Sequence, residues 1–349
     1  MGNDFKQFRR RERMNSLMKV SILMPVRNTA LFLEECLDSI LAQSYLHWEL
    51  IAVEDHSEDN SWAILQSYAA KDTRIKVFQN TGKGIIQALR MAYEHSSGTY
   101  ITRMDSDDIM PPQKLTVLQA NLSQAKQGHL ATGLVQYFSD KALGNGYLRY
   151  AEWLNTLSKK GTNFKEIYKE CVIPSPCWMI HRTDLDAAAA FRPDRYPEDY
   201  DLCFRFYEQG LICLPSDVVL HYWRDSEGRT SRHDPNYADN NFLDIKLHYF
   251  IRLDYQTERP LVLWGAGKKG KKLALLLQKA NIPFHWICNN EQKIGKDIYD
   301  LRLYSIAHLE DLIRPQIIIA IAQPEAQRQL KERFKKQKLE ANNDYFFFC

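Results

Sequence analysis

The amino-acid sequence predicts an α/β protein with two domains. At 349 residues the chain is longer than one hydrophobic core usually supports. From Val20 onwards, apolar strand-like runs alternate with helix-like runs, a pattern that builds a mostly parallel sheet with helices on both faces. After Pro260 the same alternation starts again. These observations predict a tail at residues 1–18, a first domain at 19–255 and a second, smaller domain at 256–349.

The elements of the first domain follow in chain order. The predicted strands are Val20–Pro25, Trp48–Val53, Ile75–Phe78, Tyr100–Met104 and Trp178–His181, and the predicted helices are Ala30–Gln43, Asn60–Ala70, Gly84–His95, Tyr200–Gln209 and Phe242–Leu253. Residues 111–170 are predicted to be helical and irregular, and the helix at Phe242–Leu253 is expected to close the domain. Ligands bind beyond the carboxyl ends of parallel strands, so the polar residues that follow each strand are the candidates for a site.

The second domain opens with a glycine-rich turn between a strand and a helix. The strand Leu261–Trp264 runs into Gly265-x-Gly267-x-x-Gly270, followed by strands at Phe284–Cys288, Ile317–Ile321 and Tyr345–Phe348 and helices at Lys268–Lys279 and Pro324–Lys336. This context predicts a Rossmann-like fold. Cys288, Asn289 and Asn290 stand where an acidic ribose ligand is expected. NAD binding, another phosphate ligand and an ancillary role therefore stay open, and we favour the ancillary role.

The composition is that of an ordinary globular protein, with 45% hydrophobic and 26% charged residues. A net charge of only +3 lacks the basic excess that supplies affinity for nucleic acid, so we expect no nucleic-acid partner. The seven cysteines have no metal-ligand spacing and follow no secretory leader, which predicts a cytoplasmic protein. The sequence contains no run of 18 apolar residues, so any membrane contact is expected to be peripheral.

The predicted tail is strongly basic between Phe5 and Arg13. Two interpretations stay open for it. A solvated, disordered tail is the commoner fate of such a terminus. A polybasic contact with the inner face of the cytoplasmic membrane is the alternative.

The strongest chemical signal is the run Asp105-Ser106-Asp107-Asp108 directly after a predicted strand. Alternate carboxylates at a strand end, here Asp105 and Asp107, can face one Mg²⁺ or Mn²⁺ ion, which prefers oxygen ligands and also binds phosphate. An acidic run is elsewhere more often a solvated loop or a helix cap. Its position after a strand of an alternating sheet favours the metal site.

Several segments together resemble the family 2 glycosyltransferases of the GT-A fold. They are Ser21–Asn28, Val53–Ser61, Lys83–Leu89, Gly98–Asp108 and Pro197–Leu202, and the likeness covers residues 19–235. Their order and spacing are similar to a bacterial branch of that family, which implies a role in surface polysaccharide or lipopolysaccharide biosynthesis. The resemblance further implies a metal-dependent, inverting transfer of sugar from a nucleotide sugar, with a UDP-sugar favoured, to a saccharide or lipid-linked acceptor.

The resemblance also implies roles for individual residues. Asp199 would be the base that removes the acceptor proton, with helix capping as the rival interpretation. Asp55, with its neighbour Glu54, would face the nucleotide base, and the rival is capping of the helix near Asn60. The expected nucleotide-sugar contacts are Pro25, Arg27, Asn28, Glu54, Asp55, Lys83, Asp105 and Ser106, and the expected metal ligands are Asp105 and Asp107.

The chain departs from the family pattern at three positions. Ser226 stands where many relatives carry a histidine that completes the metal shell, Arg90 where asparagine is usual, and Arg27 where an aromatic residue is common. His221 or His233 could replace the missing ligand, although a packed or surface histidine is the commoner case. Two other functions therefore stay open: a nucleotide-dependent oxidoreductase that uses the glycine-rich turn, and a degenerate, non-catalytic protein that only binds nucleotide sugar.

Overall fold

The computed structural model describes residues 18–125, 127–139, 143–226 and 242–349. The basic segment of the predicted tail and His233 lie outside these residues. The described chain forms two compact units. The first contains the residues up to Asn163 and from Val172 to 226, and the second contains Phe164–Cys171 and the residues from 242 onwards.

In its described residues the first unit contains nine strands and seven helices. The strands are β1 (Val20–Val26), β2 (Trp48–Glu54), β3 (Ile75–Gln79), β4 (Tyr100–Arg103), β5 (His129–Thr132), β6 (Leu134–Phe138), β7 (Trp178–His181), β8 (Ile212–Leu214) and β9 (Val219–Arg224). The helices are α1 (Ala30–Leu41), α2 (Ser61–Lys71), α3 (Ile85–Glu94), α4 (Lys114–Gln124), α5 (Asn145–Lys160), α6 (Arg182–Ala187) and α7 (Glu198–Glu208). One sheet has the order β3-β2-β1-β4-β7-β5-β8, and β6 pairs with β9 in a second sheet.

The first four strands form the parallel part of the large sheet. β1 pairs in parallel with both β2 and β4, and β2 pairs in parallel with β3, which agrees with the predicted alternation of strands and helices. β2 is buried along its whole length and β1 nearly so, because helices cover both faces of a parallel sheet. The arrangement brings the carboxyl ends of these strands to one edge.

The prediction was incomplete between residues 111 and 170. This stretch contains the helices α4 and α5 but also the strands β5 and β6, which the sequence did not indicate. Both strands are short, and only Gly133 separates them. A Cβ at Gly133 would lie 2.6 Å from the Leu220 side chain on β9, so this glycine allows close packing. Because each strand is short, neither shows an alternation of apolar and polar residues long enough to predict it.

The second unit is a smaller α/β sheet. The described residues place in it the strands β10 (Leu261–Trp264), β11 (His285–Ile287), β12 (Asp297–Ile298), β13 (Leu301–Tyr304), β14 (Gln316–Ile319) and β15 (Tyr345–Phe347) and the helices α8 (Phe242–Tyr249), α9 (Lys268–Lys279) and α10 (Pro324–Lys336). The sheet order is β12-β13-β11-β10-β14-β15, with β12 antiparallel to β13 and the other pairs parallel. All seven cysteines lie in the described part of the chain, where they are buried and form no disulfide. No helix of the described chain combines the length and apolar content needed to cross a membrane.

The second unit is discontinuous in sequence. The helix α8, which we expected to close the first domain, belongs to the second unit, so the predicted boundary between 255 and 256 lies inside that unit. The segment Phe164–Cys171, between α5 and β7, also belongs to it. The Tyr168 ring stacks on Phe348 with ring centroids 5.3 Å apart. Asn342 Nδ2 donates to the Phe164 carbonyl at 2.7 Å.

Tyr168 provides a test of this discontinuous core. Its side chain is 1% exposed, its ring stacks on Phe348 and its hydroxyl donates to Asp254. We expect Tyr168→Ala to lower the free energy of unfolding by about 3–5 kcal/mol, as for other deleted buried aromatic rings. Tyr168→Phe keeps the ring and loses only the hydrogen bond, so we expect a cost of about 1–3 kcal/mol. Urea denaturation followed by circular dichroism measures both, and an unchanged Tyr168→Ala variant would contradict the assignment.

Candidate active site

The candidate site lies at the edge of the first unit's sheet where the parallel strands end. Val26 pairs in register with Glu54, and Glu54 pairs with Gln79, so β1, β2 and β3 end level with one another. β4 runs beside β1 in the same direction, with Leu23 opposite Arg103. The loops that follow β1, β2, β3 and β4 therefore emerge on the same side of the sheet.

Hydrogen bonds join these loops into one surface. Asn28 Oδ1 accepts from the Glu58 amide at 2.8 Å, which links the loops after β1 and β2. Thr29 Oγ1 donates to Ser106 Oγ at 3.0 Å, which links the loop after β1 to the acidic loop. The predicted donor-binding residues in or beside these loops are Pro25, Arg27, Asn28, Glu54, Asp55, Lys83, Asp105 and Ser106.

The acidic run alternates between buried and partly exposed side chains. Ser106 and Asp108 are buried, at 4% and 1% exposure, whereas Asp105 and Asp107 are partly exposed. The two outward carboxylates are hard oxygen donors and fit Mg²⁺ or Mn²⁺, which also takes phosphate and water oxygens. Within the described residues no group of three or more His, Cys, Asp or Glu side chains is arranged to hold a metal ion. The remaining ligands would therefore have to come from a donor diphosphate and water.

Asp108 has a structural role behind this loop. Its Oδ2 lies 2.9 Å from His221 Nε2, and His221 Nδ1 lies 3.3 Å from the Lys114 ammonium. All three side chains are fully or almost fully buried, and burial lowers the pKa of Lys114. Because Lys114 donates to Nδ1, Nε2 carries the proton and donates to Asp108. His221 is therefore a packed histidine and does not face a cation at Asp105 and Asp107.

Arg224 anchors the acidic loop from β9. Its Nε donates to the Asp107 carbonyl at 2.7 Å, and its backbone amide donates to Asp108 Oδ1 at 2.8 Å. The guanidinium lies over the rings of Phe32 and Phe138, at 4.5 and 4.4 Å from their centroids, and pairs with Glu35. The sequence did not indicate that this arginine holds the loop.

Asp55 is fixed beneath the loop after β3. Its Oδ1 accepts from Asn80 Nδ2 at 2.7 Å and from the Gly84 amide at 3.0 Å, and Arg27 Nη1 lies 3.9 Å from its Oδ2. Gly84 has a φ of +93°, a left-handed conformation that favours glycine. Lys83 precedes it and is exposed.

The rival interpretation of Glu54 and Asp55 as helix caps does not describe this turn. Asp59 Oδ1, rather than either of these carboxylates, accepts from the Ser61 amide at the start of α2, at 3.0 Å. Glu54 accepts from the Ser57 amide within its own turn and is buried. Both carboxylates are therefore buried and hydrogen-bonded within these loops, Glu54 with the Ser57 amide and Asp55 with Asn80 and the Gly84 amide.

Arg103 joins the acidic loop to the start of α7. Its Nε lies 2.8 Å from Asp105 Oδ1, and its Nη1 lies 3.0 Å from Glu198 Oε1. Its side chain is 6% exposed. Burial alone would lower the pKa of Arg103, but Asp105 and Glu198 raise it overall. Two acidic motifs that are far apart in the sequence therefore share one buried cation, a link that the sequence did not reveal.

Asp199 lies next to this ion pair at the second position of α7. Its side chain is largely enclosed by protein, and burial together with the neighbouring Glu198 raises its pKa to about 7, although Arg103 opposes the shift. It lines a small cavity with Arg103, Ser175 and Phe191. Asp199 Oδ1 also accepts from the Tyr200 amide at 2.8 Å in the first turn of α7, as the helix-capping interpretation predicts. A carboxyl group that titrates near neutral pH is suited to general base catalysis.

The glycine-rich turn of the second unit has packing explanations. A Cβ at Gly265 would lie 2.9 Å from the Ala320 carbonyl, and one at Gly270 would lie 2.1 Å from the Gly265 carbonyl. Asn289, in the region where an acidic ribose ligand was expected, accepts from Trp264 Nε1 at 2.7 Å. Lys293 Nζ donates to the Ala266 carbonyl at 2.8 Å. Gly265 and Gly270 therefore serve the packing of the unit itself, whereas a Cβ at Gly267 would meet no atom within 4 Å.

Comparison with known sequences identifies glycosyltransferases. Residues 21–188 match the family model described as Glycosyl transferase family 2. The putative glycosyltransferase EpsE of Bacillus subtilis (strain 168) is 31% identical over 245 residues, which cover 65% of this chain and 81% of EpsE. The putative teichuronic acid biosynthesis glycosyltransferase TuaG of the same organism is 38% identical over 97 residues, which cover 28% of this chain and 38% of TuaG.

Solved structures share the fold. The chain is similar to residues 1–349 of S. aureus TarS in complex with UDP-GlcNAc, with a TM-score of 0.52, 18% identity and 68% of each chain covered. It is also similar to the mannosyltransferase PcManGT from Pyrobaculum calidifontis in complex with GDP-Man and Mn²⁺, with a TM-score of 0.51, 15% identity and 72% and 71% of the two chains covered. At these identities the likeness establishes the fold, and it confirms the predicted GT-A architecture.

Asp108→Asn tests the buried anchor of the acidic loop. Because Asp108 contacts His221 Nε2 with one oxygen and accepts from the Arg224 amide with the other, the side-chain NH₂ group of asparagine would have to replace one of these oxygens, and we expect the free energy of unfolding to fall by about 1–3 kcal/mol. Asp107→Asn, the partly exposed neighbour, is the matched control, and we expect it to cost less than Asp108→Asn because its side chain stays in contact with water. Denaturant titration of both variants without metal measures the difference. Equal effects would contradict the division into buried and outward carboxylates.

Proposed function

Because this chain belongs to glycosyltransferase family 2, we propose that it moves a sugar from a nucleotide sugar to a saccharide or lipid-linked acceptor, with inversion at the anomeric carbon and with the help of Mg²⁺ or Mn²⁺. One observation carries the proposal: Arg103 pairs with Asp105 at 2.8 Å and with Glu198 at 3.0 Å. This contact supports the assignment of a carboxylate suited to a cation and of the motif that contains a candidate base to one site.

The donor would lie across the loops that follow β1, β2, β3 and β4. Asp105 and Asp107 would hold the cation, and Asp55 would accept a hydrogen bond from a ring N–H of the base, because Asn80 and the Gly84 amide fix its carboxylate in place. Pro25, Arg27, Asn28, Glu54, Lys83 and Ser106 would complete the nucleotide-sugar site. The UDP-GlcNAc complex of TarS and the GDP-Man complex of PcManGT support a nucleotide-sugar donor, and we favour a UDP-sugar.

Asp199 would act as the general base of the transfer. As the acceptor hydroxyl oxygen forms its bond to the anomeric carbon, the bond from that carbon to the diphosphate oxygen breaks and the nucleoside diphosphate leaves. The hydroxyl proton passes to Asp199, and the attack from the opposite face inverts the anomeric configuration. A cation bound at Asp105 and Asp107 supplies positive charge next to the departing diphosphate.

The biological setting follows from the relatives. The name of TuaG, a teichuronic acid biosynthesis glycosyltransferase, supports a role in bacterial cell-surface polysaccharide or lipopolysaccharide biosynthesis. We place the protein in the cytoplasm, where nucleotide sugars would reach it. The basic segment between Phe5 and Arg13 would provide peripheral contact with the membrane when the acceptor is lipid-linked.

Two variants test the proposed site directly. In a panel of UDP- and GDP-sugars with Mn²⁺, we expect slow hydrolysis of one donor by the wild-type protein. Asp107→Ala should abolish this activity because it removes a cation ligand, whereas Asp199→Asn should keep nucleotide binding and lower turnover by about 100-fold or more. Asp297→Asn, an exposed residue of β12 in the second unit, serves as the control. Undiminished turnover by either site variant would count against the role assigned to that residue.

The raised pKa of Asp199 gives a pH dependence with a definite sign. A protonated carboxyl group cannot accept the acceptor proton, so kcat/KM should rise with increasing pH and reach half of its plateau near the pKa of about 7. Without the raised pKa the same limb would lie near the ordinary value for aspartate, about 4. Initial rates measured from pH 5 to 9 at saturating Mn²⁺ show whether the rising limb of kcat/KM lies near pH 7 or near pH 4. A flat profile over that range would exclude Asp199 as the titrating base.

A further inference from the structure

Arg90 on α3 stands where the resemblance to family 2 implied an asparagine. In this chain the guanidinium instead contacts the segment Phe191–Asp194, which lies between α6 and α7. That segment leads directly to Pro197, Glu198 and Asp199.

Four hydrogen bonds describe this contact. Arg90 Nε donates to the Phe191 carbonyl at 3.3 Å, and Nη2 donates to the Arg192 carbonyl at 2.7 Å and to Asp194 Oδ1 at 2.9 Å. Nη1 donates to Gln87 Oε1 at 3.3 Å, one turn earlier on α3. The planar guanidinium therefore donates to three acceptors of one loop, and the Gln87 side chain fixes the orientation of the guanidinium.

A second arginine holds the turn that directly precedes this segment. Ala189 and Ala190 have φ values of 60° and 43°, an unfavourable conformation for alanine. Arg205 on α7 donates to the Ala190 carbonyl at 2.7 Å and to the Ala188 carbonyl. Arg205 thus holds the turn that precedes the segment, and Arg90 holds the segment itself.

The segment forms part of the surroundings of the candidate base. Phe191 lines the same small cavity as Asp199 and Arg103. Its ring also packs edge-on against Tyr93 of α3, with centroids 6.2 Å apart. A shift of this segment would therefore change both a wall of the cavity and the start of the helix that carries Asp199.

We propose that Arg90 is a positioning residue for the transfer: by binding Phe191–Asp194 to α3, it fixes the place of Asp199 relative to the reacting atoms. The inference rests on the proposed function for the identity of the reaction. Arg90 does not touch substrate in this account. Its side chain is 28% exposed and its partner Asp194 is 67% exposed, so the contact is not part of the hydrophobic core and its loss should leave the fold intact.

Such a residue should affect turnover more than donor binding. Displacement of a catalytic group by about 1 Å can lower the rate by about 100-fold, while the nucleotide contacts on the loops after β1, β2 and β4 would be unaffected. Lysine could not replace the arginine fully, because one ammonium cannot match the fork that reaches three acceptors.

The experiment compares Arg90→Ala and Arg90→Lys with the wild-type full-length protein. Amide hydrogen exchange of peptides that cover residues 188–199 reports on the loop, calorimetry of UDP with Mn²⁺ reports on donor binding, and hydrolysis of the best donor of the panel reports on turnover. We expect Arg90→Ala to speed exchange in this segment and to lower kcat by about tenfold or more, with the UDP Kd unchanged within about twofold. Arg90→Lys should give an intermediate result.

Two controls separate the possible outcomes. Arg328→Ala removes an exposed arginine that pairs with Glu325 and Glu332 on α10, and it should match the wild-type protein in all three measurements. Unchanged exchange in Arg90→Ala, or weaker UDP binding at unchanged kcat, would overturn the positioning role. Asp199→Asn in the same assay tests the proposed function separately: if it retains full turnover the base assignment fails, whereas the exchange data still decide whether Arg90 holds the loop.

Discussion

The buried guanidinium of Arg103 is the interaction on which the candidate site depends. A buried charge is tolerated only when it is paired and hydrogen-bonded, and Arg103 meets this condition with Asp105 on one side and Glu198 on the other. Either carboxylate alone would leave part of the guanidinium without a partner. The ion pairs of Arg103 therefore join the end of β4 to the start of α7. They also bring the acidic loop close to the candidate base.

The remaining contacts divide the acidic residues between structure and chemistry. Asp108 forms hydrogen bonds with His221 and with the Arg224 amide, and Asp59 accepts from the Ser61 amide at the start of α2. These two carboxylates therefore stabilise loops. Asp105 and Asp107 remain partly exposed on the same loop, and Asp105 has both roles because its Oδ1 also pairs with Arg103. Rigid support on one face and accessible oxygen atoms on the other is the arrangement that a cation site requires, because ligands held by neighbouring contacts need not be ordered when the ion binds.

Much of this arrangement could be predicted from local patterns. The alternation of strands and helices gave β1 to β4 and their helices, and the acidic run after β4 marked the candidate metal ligands. Contacts between distant residues could not be predicted, since no local pattern records that Arg103 meets Glu198 or that Arg90 meets Asp194. The same reason explains why the sequence did not assign Phe164–Cys171 to the second unit, since this segment belongs there through the packing of Tyr168 on Phe348, a contact that periodicity does not encode.

The central claim is that one site holds the cation, the donor diphosphate and the candidate base. Diffraction from crystals grown with Mn²⁺ and UDP, collected at a wavelength where manganese scatters anomalously, tests it most directly. The account predicts one manganese peak about 2.0–2.6 Å from oxygens of Asp105 and Asp107 and of the diphosphate, with Arg103 still paired to Glu198. Manganese bound elsewhere, or UDP bound away from the loops after β1, β2, β3 and β4, would contradict it.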